Sequence, residues 1–201
     1  MKLEVRNLRF SYGKETVLKD VAFGPKNKGV AEEEARELSI KALDLVGLDP
    51  ERFGEMSPFD LSGGEKRRVA LAGILAMQPK YLALDEPMAG LDPRGRAETL
   101  ELLEKLRLET GCAIIMVSHS MDDVARCAER AAVLDHGALR MVDTTERVFS
   151  DSKMLEELGL ALPKATEIAD KLREAGVPLR RGIVTMDALA EAVKEVADNE
   201  Q

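Results

Sequence analysis

The chain switches repeatedly between short apolar runs and stretches in which apolar residues recur every three or four positions. Leu3, Val5 and Leu8-Arg9-Phe10 predict a strand, and Val17 to Phe23 (VLKDVAF) a second, joined by a polar turn at Tyr12-Gly13-Lys14-Glu15. Ala31 to Val46 predicts an amphipathic helix, Glu-rich at its start, with Ala35, Leu38, Ala42 and Leu45 on one face and Gly47 as its stop. Ser62 with Glu65 predicts a capping box opening a helix whose buried side is Val69, Leu71, Ala72, Ile74, Leu75 and Met77, ended by Pro79. Two apolar runs, Tyr81 to Leu84 and Ala113 to Val117, predict buried parallel strands. The segment between them, Arg96 to Glu109, carries Leu100, Leu103 and Leu106 at helical spacing. Ala131 to Leu134 and Ala138 to Val142 flank Asp135-His136-Gly137 as a hairpin. Strand–helix–strand order makes residues 1–150 an α/β domain. After Ser150 the pattern becomes helical: Met154 to Gly159, Lys164 to Gly176 and Met186 to Val196 predict a small C-terminal domain over residues 151–201.

Composition narrows this picture. At 201 residues the chain is long enough for one well-buried domain and a smaller appendage. Aromatics are 3% with no Trp, and the net charge is −8, so stacking platforms and basic surfaces for nucleic acid are not expected. The N-terminus has no signal-peptide core, and the longest uncharged stretch, Val69 to Pro79, is far too short to cross a bilayer. Work at a membrane would mean docking on proteins that span it. Cys112 and Cys127 lack metal spacing and sit among apolar residues, which predicts two reduced, buried thiols.

Several short motifs carry chemistry, and each has a plainer alternative. Asp85-Glu86 ends an apolar strand, where α/β sheets place ligands. There Asp85 could hold Mg²⁺ through its water shell while Glu86 polarises a water, or both could simply begin the turn at Pro87. Ser62-Gly63-Gly64 offers a hydroxyl and unhindered amides at a helix N-terminus, a good anion site, or no more than a capping box. Gly90-Leu91-Asp92-Pro93 reads as a turn into a helix. His119, just beyond the strand ending at Val117, could reach a phosphate or be structural. Tyr12 could stack on an adenine ring or pack locally.

Taken together and in this order, the pieces resemble the nucleotide-binding subunit of an ABC transporter. The correspondence pairs Leu61 to Glu65 with the signature motif, Tyr81 to Glu86 with the Walker B strand and Gly90 to Asp92 with the D-loop. It also makes His119 the switch histidine and Tyr12 the adenine-stacking residue. Thr16 to Asn27, Ser57 to Asp60 and Ala175 to Leu179 are similar to ATPases of energy-coupling-factor and cobalt/nickel importers. The resemblance implies an ABC ATPase domain with a helical subdomain over about residues 24–77. It implies ATP and Mg²⁺ as cofactors, with Tyr12, Ser62, Gly63, Gly64, Glu65 and Asp92 at ATP, Asp85 at Mg²⁺, and Glu86 and His119 as catalytic residues. It further implies a second ATPase subunit in a homo- or heterodimer and integral membrane transport subunits, with no nucleic acid. The expected location is cytoplasmic, peripheral on the inner face of the cell membrane. A chromosome-maintenance ATPase shares the signature and Walker B pieces but requires long heptad coiled coils, and the chain has none.

One part of the pattern is missing. No G-x-x-x-x-G-K-[S/T] phosphate loop occurs in the chain. Gly24-Pro25-Lys26-Asn27-Lys28-Gly29 has the glycine frame, but Val30-Ala31 stand where Lys and Ser/Thr are required, so it is expected to be a loop before a helix. Tyr12 is followed almost at once by the segment that in the family comes after the Q-loop, and Gln78 is in the wrong place to serve as the Q-loop residue. The resemblance therefore implies an internal deletion between Gly13 and Phe23 and an incomplete P-loop NTPase. A phosphate cradle supplies charge-assisted hydrogen bonds of about 1.5–3 kcal/mol each. Losing three or four of them would cancel the roughly 8 kcal/mol of micromolar affinity. The expectation is a chain unable to bind ATP alone. The alternative role is a non-catalytic interaction subunit that offers its signature motif in trans to an intact partner. In the family the phosphate-loop strand lies beside the Ala113–Val117 strand, so its loss is expected to leave an apolar edge open.

Overall fold

A computed structural model describes residues 16–199. The expected strand at Leu3 to Phe10, the turn after it and Tyr12 lie outside the described residues. The chain divides into two compact units, Met1–Leu82 with Ala97–Ile115, and Ala83–Arg96 with Met116–Gln201.

The described part of the first unit is mainly helical: α1 (Val17–Asn27), α2 (Glu32–Leu45), the single turn α3 (Pro50–Phe53) and α4 (Gly63–Leu75). α1 corrects the expected strand at Val17 to Phe23. Its buried residues are Val17, Val21, Ala22 and Pro25, the four-residue spacing of a helix face rather than alternation. The leading N–H groups of α1 are satisfied from outside, since Val17 donates to the Met56 carbonyl and Leu18 to that of Gly54, both at 3.0 Å. α1, α2 and α4 pack on one another. A Cβ on Gly24 would lie 2.9 Å from the Met77 side chain and 3.3 Å from the Gly73 carbonyl, so glycine sets how closely α1 approaches that segment.

α2 forms where the periodicity predicts, but its fully buried positions are Ala35, Ser39, Ala42 and Leu43, with Leu38 and Leu45 half-buried. Ser39 is tolerated inside because its hydroxyl donates to the Ala35 carbonyl at 2.7 Å. Gly47 ends the helix at φ +72°, with its N–H on the Asp44 carbonyl and the Leu48 N–H on that of Leu43. α4 buries Val69, Ala72 and Leu75, while Leu71 and Met77 are half-buried and Ile74 is exposed, a narrower face than expected. The helix expected at Arg96 to Glu109 forms as α5 (Pro93–Thr110), and its Leu100, Leu103 and Leu106 are buried.

Strands β1 (Tyr81–Asp85) and β2 (Ala113–Val117) form as predicted and, among the described residues, pair in a two-stranded sheet. Ala113 N–H meets the Lys80 carbonyl at 3.0 Å near the start of both strands, and Glu86 N–H meets that of Val117 at 2.9 Å near their ends, so the strands run parallel. They are not buried as expected. Only Leu82 of β1 is fully buried and no residue of β2 is, while Tyr81, Ile115 and Val117 are 69%, 57% and 55% exposed. Parallel strands ordinarily require cover on both faces.

The rest of the second unit comprises α6 (Met121–Cys127), β3 (Arg130–Asp135), β4 (Ala138–Thr144), α7 (Thr145–Ser150), α8 (Ser152–Glu157), α9 (Lys164–Glu174) and α10 (Met186–Asn199). The predicted hairpin is β3–β4, antiparallel, with Asp135 opposite Ala138. His136 and Gly137 at φ +47° and +77° make the two-residue turn whose twist suits a hairpin. One core gathers Ala125, Val133, Val148, Phe149, Leu155 and Val184. Another gathers Ala165, Ala169, Leu179, Ile183, Leu189 and Ala192. Both cysteines are free thiols, as expected, but only Cys112 is buried and Cys127 is exposed. Burial pushes the Cys112 thiol pKa up. Among the described residues no helix is long and apolar enough to cross a membrane.

Candidate nucleotide site

In the first unit the signature-like segment is held as a helix N-terminus. Ser62 Oγ accepts from the Glu65 N–H at 3.3 Å, and Glu65 Oε2 accepts from the Ser62 N–H at 2.7 Å, the reciprocal capping box. These bonds hold the Glu65 carboxyl below the usual carboxylate range, the Ser62 contacts being the first cause. Ser62, Gly63 and Gly64 are all exposed, and a Cβ on either glycine would meet nothing within 4 Å. The amides at the start of α4 therefore face open space with the positive end of the helix dipole behind them. The helix is fixed further along by Arg68, which bonds Glu98 at 3.1 Å and the Val46 carbonyl at 3.4 Å.

In the second unit the end of β1 meets the segment after β2. Glu86 has φ +46°, a conformation that costs a side-chain-bearing residue free energy and often marks a working position. Its Oε1 accepts from the His119 N–H at 2.7 Å, and the His119 ring Nε2 lies 3.7 Å from the same oxygen. Glu86 is half-buried, whereas the His119 side chain is 94% exposed and free to reach a ligand. Asp85 is exposed at the strand end. Asp92 is exposed as well, and its Oδ1 accepts from the Gly95 N–H at 2.8 Å, capping α5. The structure thus brings Glu86 and His119 into contact, sets Asp85 next to them in sequence, and gives Asp92 a helix-capping bond. Neither the positive φ of Glu86 nor its bond to the His119 amide was legible in the sequence, and only the D-E-P spacing pointed there.

Mg²⁺ is usually held by one or two protein carboxylates together with phosphate oxygens. Asp85 fits as one such carboxylate, and among the described residues no cluster of three or more His, Cys, Asp or Glu could hold a metal without added ligands. The Gly24–Gly29 frame offers no phosphate cradle. Gly24 to Asn27 are the last turn of α1, Lys28 is its C-cap and Gly29 sits at φ +84°. That corrects the expected loop before a helix. A helix C-terminus presents carbonyls and the negative end of the dipole, the wrong polarity for phosphate.

Residues 6–89 match the family described as ABC transporter. The fold is that of the ABC transporter ATPase domain: the cbiO1 structure from Clostridium perfringens, described as part of the ABC transporter complex cbiONQ, superposes with a TM-score of 0.63 at 34% identity, covering 79% of this chain and 62% of that one. The relatives in sequence are energy-coupling factor transporter ATP-binding proteins. EcfA2 of Clostridium perfringens is 46% identical over 185 residues, covering 92% of this chain and 65% of the relative. EcfA2 of Enterococcus faecalis is 49% identical over 177 residues, covering 88% and 61%. The chain spans less than two thirds of the length of these relatives.

Proposed function

We propose that this chain is an ATP-binding subunit of an energy-coupling-type ABC importer, in an internally deleted form that cannot bind ATP by itself. Residues 1–150 form the ATPase domain and residues 151–201 a helical C-terminal domain. The observation that carries the proposal is an exposed, correctly capped Ser62-Gly63-Gly64 terminus in a chain without a phosphate loop. The exposed Tyr81, Ile115 and Val117 support the same reading, since a sheet lacking a strand leaves its apolar side chains uncovered. In the head-to-tail dimer that the resemblance implies, ATP lies between one subunit's phosphate loop and the other's signature motif. The contribution of this chain is then Ser62 to Gly64, offered to nucleotide held by an intact second subunit. Tyr12 and Asp92 take their proposed places at ATP from the same resemblance.

On this chain's own side, Glu86 and His119 keep a hydrolytic arrangement. With Oε1 engaged by the His119 N–H, Glu86 retains Oε2 to orient a water. The exposed His119 ring would suit a terminal phosphate and Asp85 a hydrated metal ion, but without a phosphate loop in this chain they are left with no nucleotide of their own. Mg²⁺ bound with ATP would neutralise charge on the transferring phosphoryl group. The transported substrate, metal ion or vitamin, is chosen by the membrane partners, on which the chain docks at the cytoplasmic face. The test mixes the purified chain with an intact energy-coupling ATPase subunit and measures ATP turnover. A rise that Ser62→Ala abolishes supports the proposal, and turnover identical to the intact subunit alone contradicts it.

A further inference from the structure

The second unit holds a cavity that nucleotide chemistry does not use. It has a volume of about 380 Å³ and lies between the α7–α8 junction, α9 and the loop at Arg181–Ile183. Its walls are fixed by internal bonds. The buried Thr166 hydroxyl donates to the Ile183 carbonyl at 2.9 Å, and Arg173 Nη1 donates to the Arg180 carbonyl at 2.8 Å. Asp170 accepts from the Ser152 hydroxyl at 3.0 Å and pairs with Arg173, so its charge is already compensated. Asp151, at the edge, accepts from the Met154 N–H at 3.2 Å.

What remains is positive and donor-rich. Among the described residues, neither Lys153 nor Arg181 has a carboxylate within ion-pair distance, and both line the cavity. The N–H groups of Gly182 and Ile183, also on its lining, meet no protein acceptor among the described residues. Ile183 is 1% exposed, and a buried N–H without a partner is costly to leave unsatisfied. Gly182 turns the backbone there at φ +78°, which brings its own position within 3.6–3.9 Å of Glu146 and Ser150 for any added Cβ. Two cations and two backbone donors around one space match an oxyanion with several acceptor oxygens better than a single carboxylate. The space equals about a dozen waters of liquid volume, room for an organic group beyond the oxyanion.

We propose that this cavity binds a small soluble phosphomonoester, the phosphate meeting Lys153, Arg181 and the Gly182 and Ile183 amides. The test uses the full chain, isotope-labelled for amide NMR, titrated at constant ionic strength with inorganic phosphate, glycerol phosphate and acetate. The expected result is saturating shifts at Gly182 and Ile183, with glycerol phosphate at least as tight as phosphate and acetate about fivefold weaker. Lys153→Gln with Arg181→Gln should raise the midpoint about a hundredfold, the loss of two charge-assisted bonds, with the rest of the spectrum unchanged. Arg181→Lys, which keeps the charge but loses the planar fork, should fall between. Linear shifts without saturation, acetate binding as tightly as phosphate, or an unchanged midpoint in both variants would overturn the proposal.

Discussion

Removing the Ser62 hydroxyl separates the structural role of the signature terminus from its proposed role at nucleotide. In Ser62→Ala the Glu65 N–H loses its acceptor at 3.3 Å, while the Ser62 backbone N–H keeps the Glu65 carboxylate at 2.7 Å. Replacing an N-cap hydroxyl costs about 0.5–2 kcal/mol. The lost bond is long and the terminus is exposed, so the lower half applies, about 0.5–1 kcal/mol. Because the two units need not unfold together, the fitting assay is residue-level hydrogen exchange rather than a global melt. At about 1.4 kcal/mol per factor of ten, protection in the first turn of α4 should fall about two- to fivefold. Ser62→Asp, which restores an acceptor and adds favourable charge at the helix start, should recover it. Stimulation of an intact partner should be lost in both variants, since neither has the hydroxyl. Full protection in Ser62→Ala, or stimulation that follows protection through both variants, would refute the separation of cap from ligand.

Other outcomes follow from the same geometry. The Glu65 carboxyl titrates below its ordinary value of 4.5, so its stabilisation of the cap is present above that pH and is lost as pH falls through the lower folded value; exchange rates in α4 measured from pH 6 down to 3 should rise only below about 4.5, and a rise near pH 6 contradicts the bond. Gly47→Ala forces a side chain into φ +72° with its Cβ 3.2 Å from Arg68 Nη1, and should destabilise the helical unit by about 1–2 kcal/mol in urea unfolding. Leu106→Ala, at a fully buried site, should cost about 2–5 kcal/mol by the same assay. Ile115→Thr with Val117→Thr should lower concentration-dependent association in sedimentation, because these side chains are the exposed apolar part of β2.

The helices were legible where one face is apolar and the ends are punctuated, as at Ala31 to Val46 with Gly47, and the hairpin was legible from Asp135-His136-Gly137. Val17 to Phe23 was not, because valines four apart fit strand alternation and a helix face equally over so short a window. α1 became a helix once Val17 and Val21 packed into the helical unit, a tertiary choice that local propensity does not contain. The strands Tyr81–Leu84 and Ala113–Val117 were legible as strands, but their exposure was not, since burial depends on neighbours that a run of apolar residues cannot specify. At the candidate site, residue types and order singled out Asp85, Glu86 and His119 as candidates. The contact between Glu86 and the His119 amide rests on how β1 and β2 pair, which only the structure supplies.

The chain exposes the Ser62-Gly63-Gly64 terminus of α4 but carries no G-x-x-x-x-G-K-[S/T] loop to cradle a phosphate of its own. Titrating the isolated chain with a fluorescent ATP analogue in the presence of Mg²⁺ tests this most directly. No saturable binding is expected up to millimolar nucleotide, and a dissociation constant in the micromolar range would contradict the absence of a cradle.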